Sequence, residues 1–319
     1  MASLGSVVGS LLGGFVGSTL GWKWVFWIPA IASAFTTAAG CKKPYVDWIG
    51  GGLVSSSLTL LLVAITQGNV SGWSTPWIPP LLVVSVSLLG GFIFYQRRLE
   101  IDPDRIPLMR MSMFAKKQFS ALFVLVGCFY ASFNGFLVFV TYFYQKYQGL
   151  GELQTTLRFL PAGISGLLIS FAVFPALNHL PYFIVLVVGL SCSVVSPFLF
   201  AIPSIPPTTT YWAWGFPAMC LCMSVEIVWP VFSLLTAKSL AQEDQSLGGG
   251  LLQTVNNVGR ALGLAIATAI QTAVAGDINN EQGSNIYLDG LRAAQWFNFT
   301  LAVTGILLAL VFFRGLDRS

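Results

Sequence analysis

The sequence predicts an all-α membrane protein, a polytopic bundle of about ten transmembrane helices. Three observations predict it. Of the 319 residues, 55% are hydrophobic and only 9% are charged, whereas a soluble domain carries about 25% charge. Such a chain lacks the polar side chains to cover a water-facing surface, so lipid is its main solvent. Its apolar runs approach about twenty residues, the length a helix needs to cross a bilayer, and lack the short alternation of a barrel strand. The 32 glycines suit close helix packing in lipid, where apolar burial supplies little drive between helices.

In order, the helices are expected at 2–20, 24–40, 48–67, 76–95, 119–144, 156–177, 182–201, 211–236, 248–273 and 296–313. Met1 leads straight into the first, with no charged segment before it and no small-residue cleavage site after it, so a signal peptide is not expected. Pro44 separates the second helix from the third, and Gly68, Gly72 and Pro76 the third from the fourth. The fourth and fifth are joined by the charged stretch 96–118, QRRLEIDPDRIPLMRMSMFAKKQ. Gly149 and Gly151, then Pro181, then Pro203, Pro206 and Pro207 punctuate the next three gaps. The segment around 274–294 reads as a second long loop. Pro161, Pro175, Pro217 and Pro230 fall inside spans, which membrane helices tolerate because neighbours satisfy the freed carbonyls. The 96–118 connection splits four helices from six.

Basic residues set the orientation. Lys42, Lys43, Arg97, Arg98, Arg105, Arg110, Lys116, Lys117, Lys238, Arg314 and Arg318 fall in one set of loops; Lys23, Lys146 and Arg292 fall in the other. This bias places the first set, and with an even helix count both termini, in the cytoplasm. The net charge of +4 is dispersed over these loops and forms no basic face, so nucleic acid is not an expected partner. The expected surroundings are the bilayer, a small-molecule substrate and protons. Four of the five cysteines, Cys128, Cys192, Cys220 and Cys222, lie in apolar runs. None has metal-ligand spacing with His179, the one histidine, so no metal site is read. There is no phosphate-cradling G-x-x-x-x-G-K-[ST] loop and no nucleophile–base pair; neither a cofactor nor enzymatic activity is expected, and ATP is not the expected energy source.

Ionisable groups inside a membrane span are costly and mark function by default. Two stand out. Glu226 lies roughly 15 Å and Arg260 roughly 18 Å from the cytoplasmic end of their helices, at about 1.5 Å per residue. These depths permit an ion pair. Glu226 is read either as a proton or cationic-substrate site, or as half of a structural pair with Arg260 that never titrates. Tyr130, Asn134, Thr141 and Gln145 form a polar stripe on one helix, and Gln253, Asn256 and Asn257 a cluster near Arg260. The stripe is read as substrate-binding or, for Asn134, as helix–helix hydrogen bonding.

The first helix carries Gly5-Ser6-Val7-Val8-Gly9-Ser10-Leu11-Leu12-Gly13-Gly14, with glycines every four residues. The string resembles the G-x-x-x-G-P-x-x-G-G motif in the fifth helix of major facilitator antiporters, with Ser10 where the motif has Pro. Gly21-Trp22-Lys23-Trp24-Val25-Phe26-Trp27-Ile28-Pro29 resembles the junction into their sixth helix. Leu157-Arg158-Phe159-Leu160-Pro161-Ala162-Gly163, Tyr211-Trp212-Ala213-Trp214-Gly215-Phe216-Pro217 and Gln245-Ser246-Leu247-Gly248-Gly249-Gly250-Leu251-Leu252-Gln253-Thr254 resemble segments of the C-terminal half of fungal fourteen-helix drug:proton antiporters. The resemblance implies an incomplete major facilitator fold containing helices five to fourteen. In it, 1–40 is the remnant of the N-terminal bundle, 41–118 carries two linker helices and 119–319 is the C-terminal bundle. It implies proton-coupled efflux of drugs or secondary metabolites by alternating access, in a plasma or vacuolar-type membrane. The antiporter glycine motif, Gly5, Gly9, Ser10, Gly13 and Gly14, implies export. Glu226, Arg260, Asn134, Tyr130, Gln145, Asn256 and Asn257 are the proton and substrate candidates. The alternatives are a truncated, non-transporting membrane protein and an uptake transporter for a small solute.

Overall fold

Backbone polar groups in lipid must be paired within their own segment, and the chain pairs them in long helices. The computed structural model describes residues 47–73, 75–101, 111–202, 211–240, 245–275 and 283–315, together with Lys23, Trp27 and Gln242. Met1–Trp48 forms one unit and Ile49–Ser319 another. The helices expected at 2–20 and 24–40, with the motif Gly5, Gly9, Ser10, Gly13 and Gly14, lie outside the described residues.

The second unit begins with α1 (Trp48–Ser71), α2 (Ile78–Ile101) and a short 3-10 turn, Met111–Ala115. There follow α3 (Lys117–Tyr142), which runs into a π-helical turn Phe143–Tyr147, α4 (Glu152–His179) and α5 (Tyr182–Ala201). The last elements are α6 (Tyr211–Cys222), α7 (Val225–Ser239), α8 (Gln245–Ala275) and α9 (Gly283–Phe312). Among the described residues these make eight spans long and apolar enough to cross a bilayer, α6 and α7 sharing the span Tyr211–Ser239. Gly72 (φ 86°) and Gly149 (φ 67°) turn the chain between α1 and α2 and between α3 and α4, in the left-handed region that glycine enters without a Cβ clash.

Two expectations are corrected. The segment 274–294 is not one long loop: α9 begins at Gly283, well before the apolar run that starts near 296. Leu288, Leu291 and Ala294 are buried at helical spacing while Asp289 is exposed, and Arg292 Nη1 reaches Asp289 Oδ1 at 3.8 Å. This amphipathic first stretch carries the helix period without the hydropathy of a span. The single helix expected at 211–236 is interrupted at Met223 and Ser224. Pro230 has no N–H to offer the Glu226 carbonyl four residues earlier. Upstream of it the chain tightens, with Ser224 N–H donating to Leu221 O (3.1 Å), Glu226 N–H to Met223 O (3.0 Å) and Ile227 N–H to Ser224 O (2.9 Å). These are i→i−3 bonds of the 3-10 kind.

The bundle is centred on α3, which packs along α8 and α9. Glycine sets the α3–α8 approach. A Cβ built on Gly259 would lie 2.6 Å from the Gly127 carbonyl oxygen, and one on Gly263 would lie 2.7 Å from Ala131 Cα, so the two backbones touch through small residues. On the α9 side, Ser132 Oγ donates to the Asn298 carbonyl at 2.7 Å and Asn298 Nδ2 to Gln295 Oε1 at 3.2 Å. One aromatic cluster, including Phe119, Phe129 and Phe232, fills one half of the bundle; a second, including Phe136, Phe139, Phe143, Tyr144 and Trp214, fills the other. α1 and α2 leave most of their surface exposed.

Candidate functional site

Arg260 sits near the middle of the Leu247–Ala275 span and is exposed. A guanidinium at that depth is not stable against lipid, so this face of the bundle meets a wet cavity or other protein. Gln253 and Asn257 are exposed on the same face of α8, seven and three residues before Arg260, a spacing that lines one side of a helix. Asn256, one turn before Arg260, is instead buried, and its Oδ1 has no hydrogen-bond partner.

Opposite, α3 presents Tyr130 and Asn134 one helical turn apart. Arg260 Nε and Nη2 both donate to Asn134 Oδ1, at 3.3 and 3.1 Å. Tyr130 is buried, meets Trp229 of α7 edge-to-face with centroids 6.0 Å apart, and lies within electrostatic range of both Glu226 and Arg260. The polar stripe expected on this helix does not act as one surface. Thr141 returns its hydroxyl to the Leu137 carbonyl at 2.8 Å. Gln145 falls in the π-helical turn, exposed, and roughly 16 Å along the helix from Asn134 at about 1.5 Å per residue.

Glu226 is in the first turn of α7, directly after the interruption of the span. The positive end of that half-helix favours a carboxylate there. The ion pair permitted by depth is not formed. Instead Ser170 Oγ of α4 donates to Glu226 Oε2 at 3.1 Å, while Arg260 is held by Asn134. On either side of the interruption Met219 and Cys222 are buried, while Glu226 and Trp229 are half-buried and Ser233 is exposed. Sequence reasoning missed Ser170 and Trp229. The signal for Trp229 was its position three residues after Glu226; Ser170 is one serine among several in α4 and carries no signal of its own.

A second cation is organised near the start of α4. Arg158 Nη1 donates to Gln148 Oε1 at 2.6 Å, and its guanidinium lies 4.9 Å from the Tyr144 ring centroid and 5.3 Å from that of Tyr211. Tyr211 closes the arrangement by donating to the Arg158 carbonyl at 2.6 Å. Cation–π contact of this kind holds a charge without a carboxylate.

Polar and charged side chains thus gather at mid-span on one face of a bundle that contains an interrupted helix. Residues 1–264 match the family model of the Major Facilitator Superfamily. The chain belongs to the major facilitator superfamily. It is an integral, multi-pass membrane protein. It is similar to efflux pump terJ of Aspergillus terreus, at 26% identity over 98% of this chain and 61% of that protein. It is also similar to the low affinity ammonium transporter of Saccharomyces cerevisiae, at 26% identity over 96% of this chain and 60% of that protein. The uncharacterized MFS-type transporter Rv1250 of Mycobacterium tuberculosis is 25% identical over 86% of this chain and 48% of its own length. The chain therefore spans less than two thirds of the length of each of these curated relatives.

Proposed function

We propose that this major facilitator protein moves small organic molecules across a membrane by alternating access, coupling their export to proton entry through Glu226. The carrying observation is the place of Glu226: an ionisable group beside an interrupted helix, half-buried, held by a neutral hydroxyl and free of an ion pair with Arg260. A carboxylate so placed can gain and lose a proton without stranding a buried counter-charge. Half-helices at mid-membrane are where transporters of this architecture place their sites. Export is favoured by the antiporter-like glycine motif from Gly5 to Gly14 and by similarity to a protein named as an efflux pump. Uptake of a small solute is the second reading, favoured by similarity to a protein named as an ammonium transporter. The basic residues Arg97, Arg98, Lys116, Lys117 and Lys238 assign their loops to the cytoplasm, in a plasma or vacuolar-type membrane.

The test is transport in vesicles that carry the full chain inside-out and are acidified inside. The wild type should accumulate an amphipathic fluorescent compound and release it when the pH gradient is collapsed. Glu226→Gln should lose the gradient-driven part with its protein amount unchanged. Gradient-driven accumulation of wild-type size by Glu226→Gln would remove the coupling role.

A further inference from the structure

Charge on the open face around Arg260 is unbalanced. Among the described residues no carboxylate pairs with Arg260, whose two hydrogen bonds both go to the neutral Oδ1 of Asn134. The acid at the same level, Glu226, accepts from Ser170 instead. Asn134 occupies Nε and Nη2 on one side of the guanidinium, which leaves donors over on an exposed side chain. Gln253 and Asn257 share that face and are exposed, and Tyr130, one turn before Asn134 on α3, packs edge-to-face on the half-buried Trp229 of α7.

We propose that the site takes an organic anion. A carboxylate or comparable oxyanion sits against the guanidinium of Arg260, and the apolar or aromatic body of the same molecule lies along Trp229, which the buried Tyr130 backs. The inference rests on reading this face as the substrate site and adds the charge of the substrate to that reading. A mid-span cation without a counter-ion is unfavourable, so an anion is stabilised by the charge it neutralises. The planar guanidinium matches the two oxygens of a carboxylate, and by anchoring Arg260 through one edge, Asn134 presets its plane at no further cost in side-chain freedom. A cationic substrate has the opposite problem. It must approach Arg260, and the one carboxylate at that level among the described residues, Glu226, lies in the first turn of α7 and is already engaged by a hydroxyl.

The experiment compares three ligands of one shape on the full chain in lipid nanodiscs: 2-naphthoate, 2-naphthamide and 2-naphthylmethylammonium. The carboxylate should bind saturably and at least about tenfold more tightly than the amide or the ammonium. Arg260→Gln should reduce naphthoate binding to the level of the amide, Arg260→Lys should keep part of the preference, and Arg158→Gln, at the other cation, should keep all of it. Equal binding of carboxylate and amide by the wild type, tighter binding of the ammonium, or no saturable binding of any of the three would overturn the proposal without reliance on a variant. So would an Arg260→Gln protein that keeps the preference. The two readings fail separately: naphthoate preference without proton-driven transport removes the coupling through Glu226, and proton-driven transport of the ammonium with no naphthoate preference removes the anion.

Discussion

The hydroxyl of Ser170 stands between two acceptors, 3.1 Å from Glu226 Oε2 and 2.9 Å from the Gly166 carbonyl oxygen. It has one proton to give. When Glu226 is ionised, the hydroxyl turned to Oε2 stabilises the charge. When Glu226 is protonated, the hydroxyl turned to Gly166 leaves its own oxygen to accept from the carboxyl. In the proposed coupling, Ser170 is a positioning residue for Glu226.

Ser170→Ala should therefore slow proton-driven turnover by about tenfold, the scale of one hydrogen bond to a charged group. The loss should fall on the maximal rate, with the half-saturating substrate concentration little changed. Ser170→Thr, which keeps a hydroxyl, should recover most of the rate. Vesicle transport across a range of substrate concentrations separates the two parameters. Equal loss in Ala and Thr would show that shape, not the hydroxyl, is what the site needs.

The separation of Glu226 from Arg260 has a thermodynamic signature. In unfolding of the detergent-solubilised protein, Glu226→Gln and Arg260→Gln should add to within about 0.5 kcal/mol. Asn134→Ala and Arg260→Gln should not add, because the pair shares two hydrogen bonds; a coupling of about 0.5–1.5 kcal/mol is expected. A strong Glu226–Arg260 coupling with none between Asn134 and Arg260 would reverse the pairing described above.

Hydropathy and punctuation recover most of the helical plan, and the exceptions have physical reasons. α5 runs from Tyr182 to Ala201, as read, because Pro181 precedes it and a proline-rich stretch follows. α9 starts early because its first turns pack against the protein through Leu288, Leu291 and Ala294, and a span-length hydropathy window is blind to a short amphipathic lead. The interruption before Glu226 escapes the same window because Tyr211–Ser239 passes as one span by length and mean hydropathy. At the site, residue type and depth single out Glu226 and Arg260. Depth alone says nothing about azimuth, and azimuth decides that Arg260 meets Asn134 and that Glu226 meets a serine.

Topology is open to a labelling test. Ser112 is exposed in the 3-10 turn between α2 and α3, and its N–H donates to Glu100 Oε1 and Oε2, both at 3.3 Å. With Arg97, Arg98, Lys116 and Lys117 on either side, the proposed orientation puts this turn in the cytoplasm. In a protein freed of Cys41, Cys128, Cys192, Cys220 and Cys222, Ser112→Cys should react with an impermeant maleimide only after cells are opened. Labelling of intact cells would invert the orientation.

The α3–α8 seam gives a prediction in which two glycines of one helix behave oppositely. Gly259→Ala puts a methyl 2.6 Å from the Gly127 carbonyl oxygen and 2.9 Å from Gly127 Cα, and neither atom belongs to a side chain that can swing away. The helices must separate, a change that costs about 1–3 kcal/mol when a packed interface is overfilled. That separation also displaces Arg260, one residue further along α8, from Asn134 on α3. Gly250→Ala on the same helix meets nothing within 4 Å, so only helix propensity acts, favouring alanine by up to about 1 kcal/mol. Gly259→Ala should lower both the unfolding temperature in detergent and the amount of folded protein, and Gly250→Ala should raise or preserve them. Placing Ala at Gly127 as well should not rescue Gly259→Ala, since the obstruction is the Gly127 backbone itself. Tolerance of Gly259→Ala with unchanged stability would mean that the two helices do not approach at backbone distance.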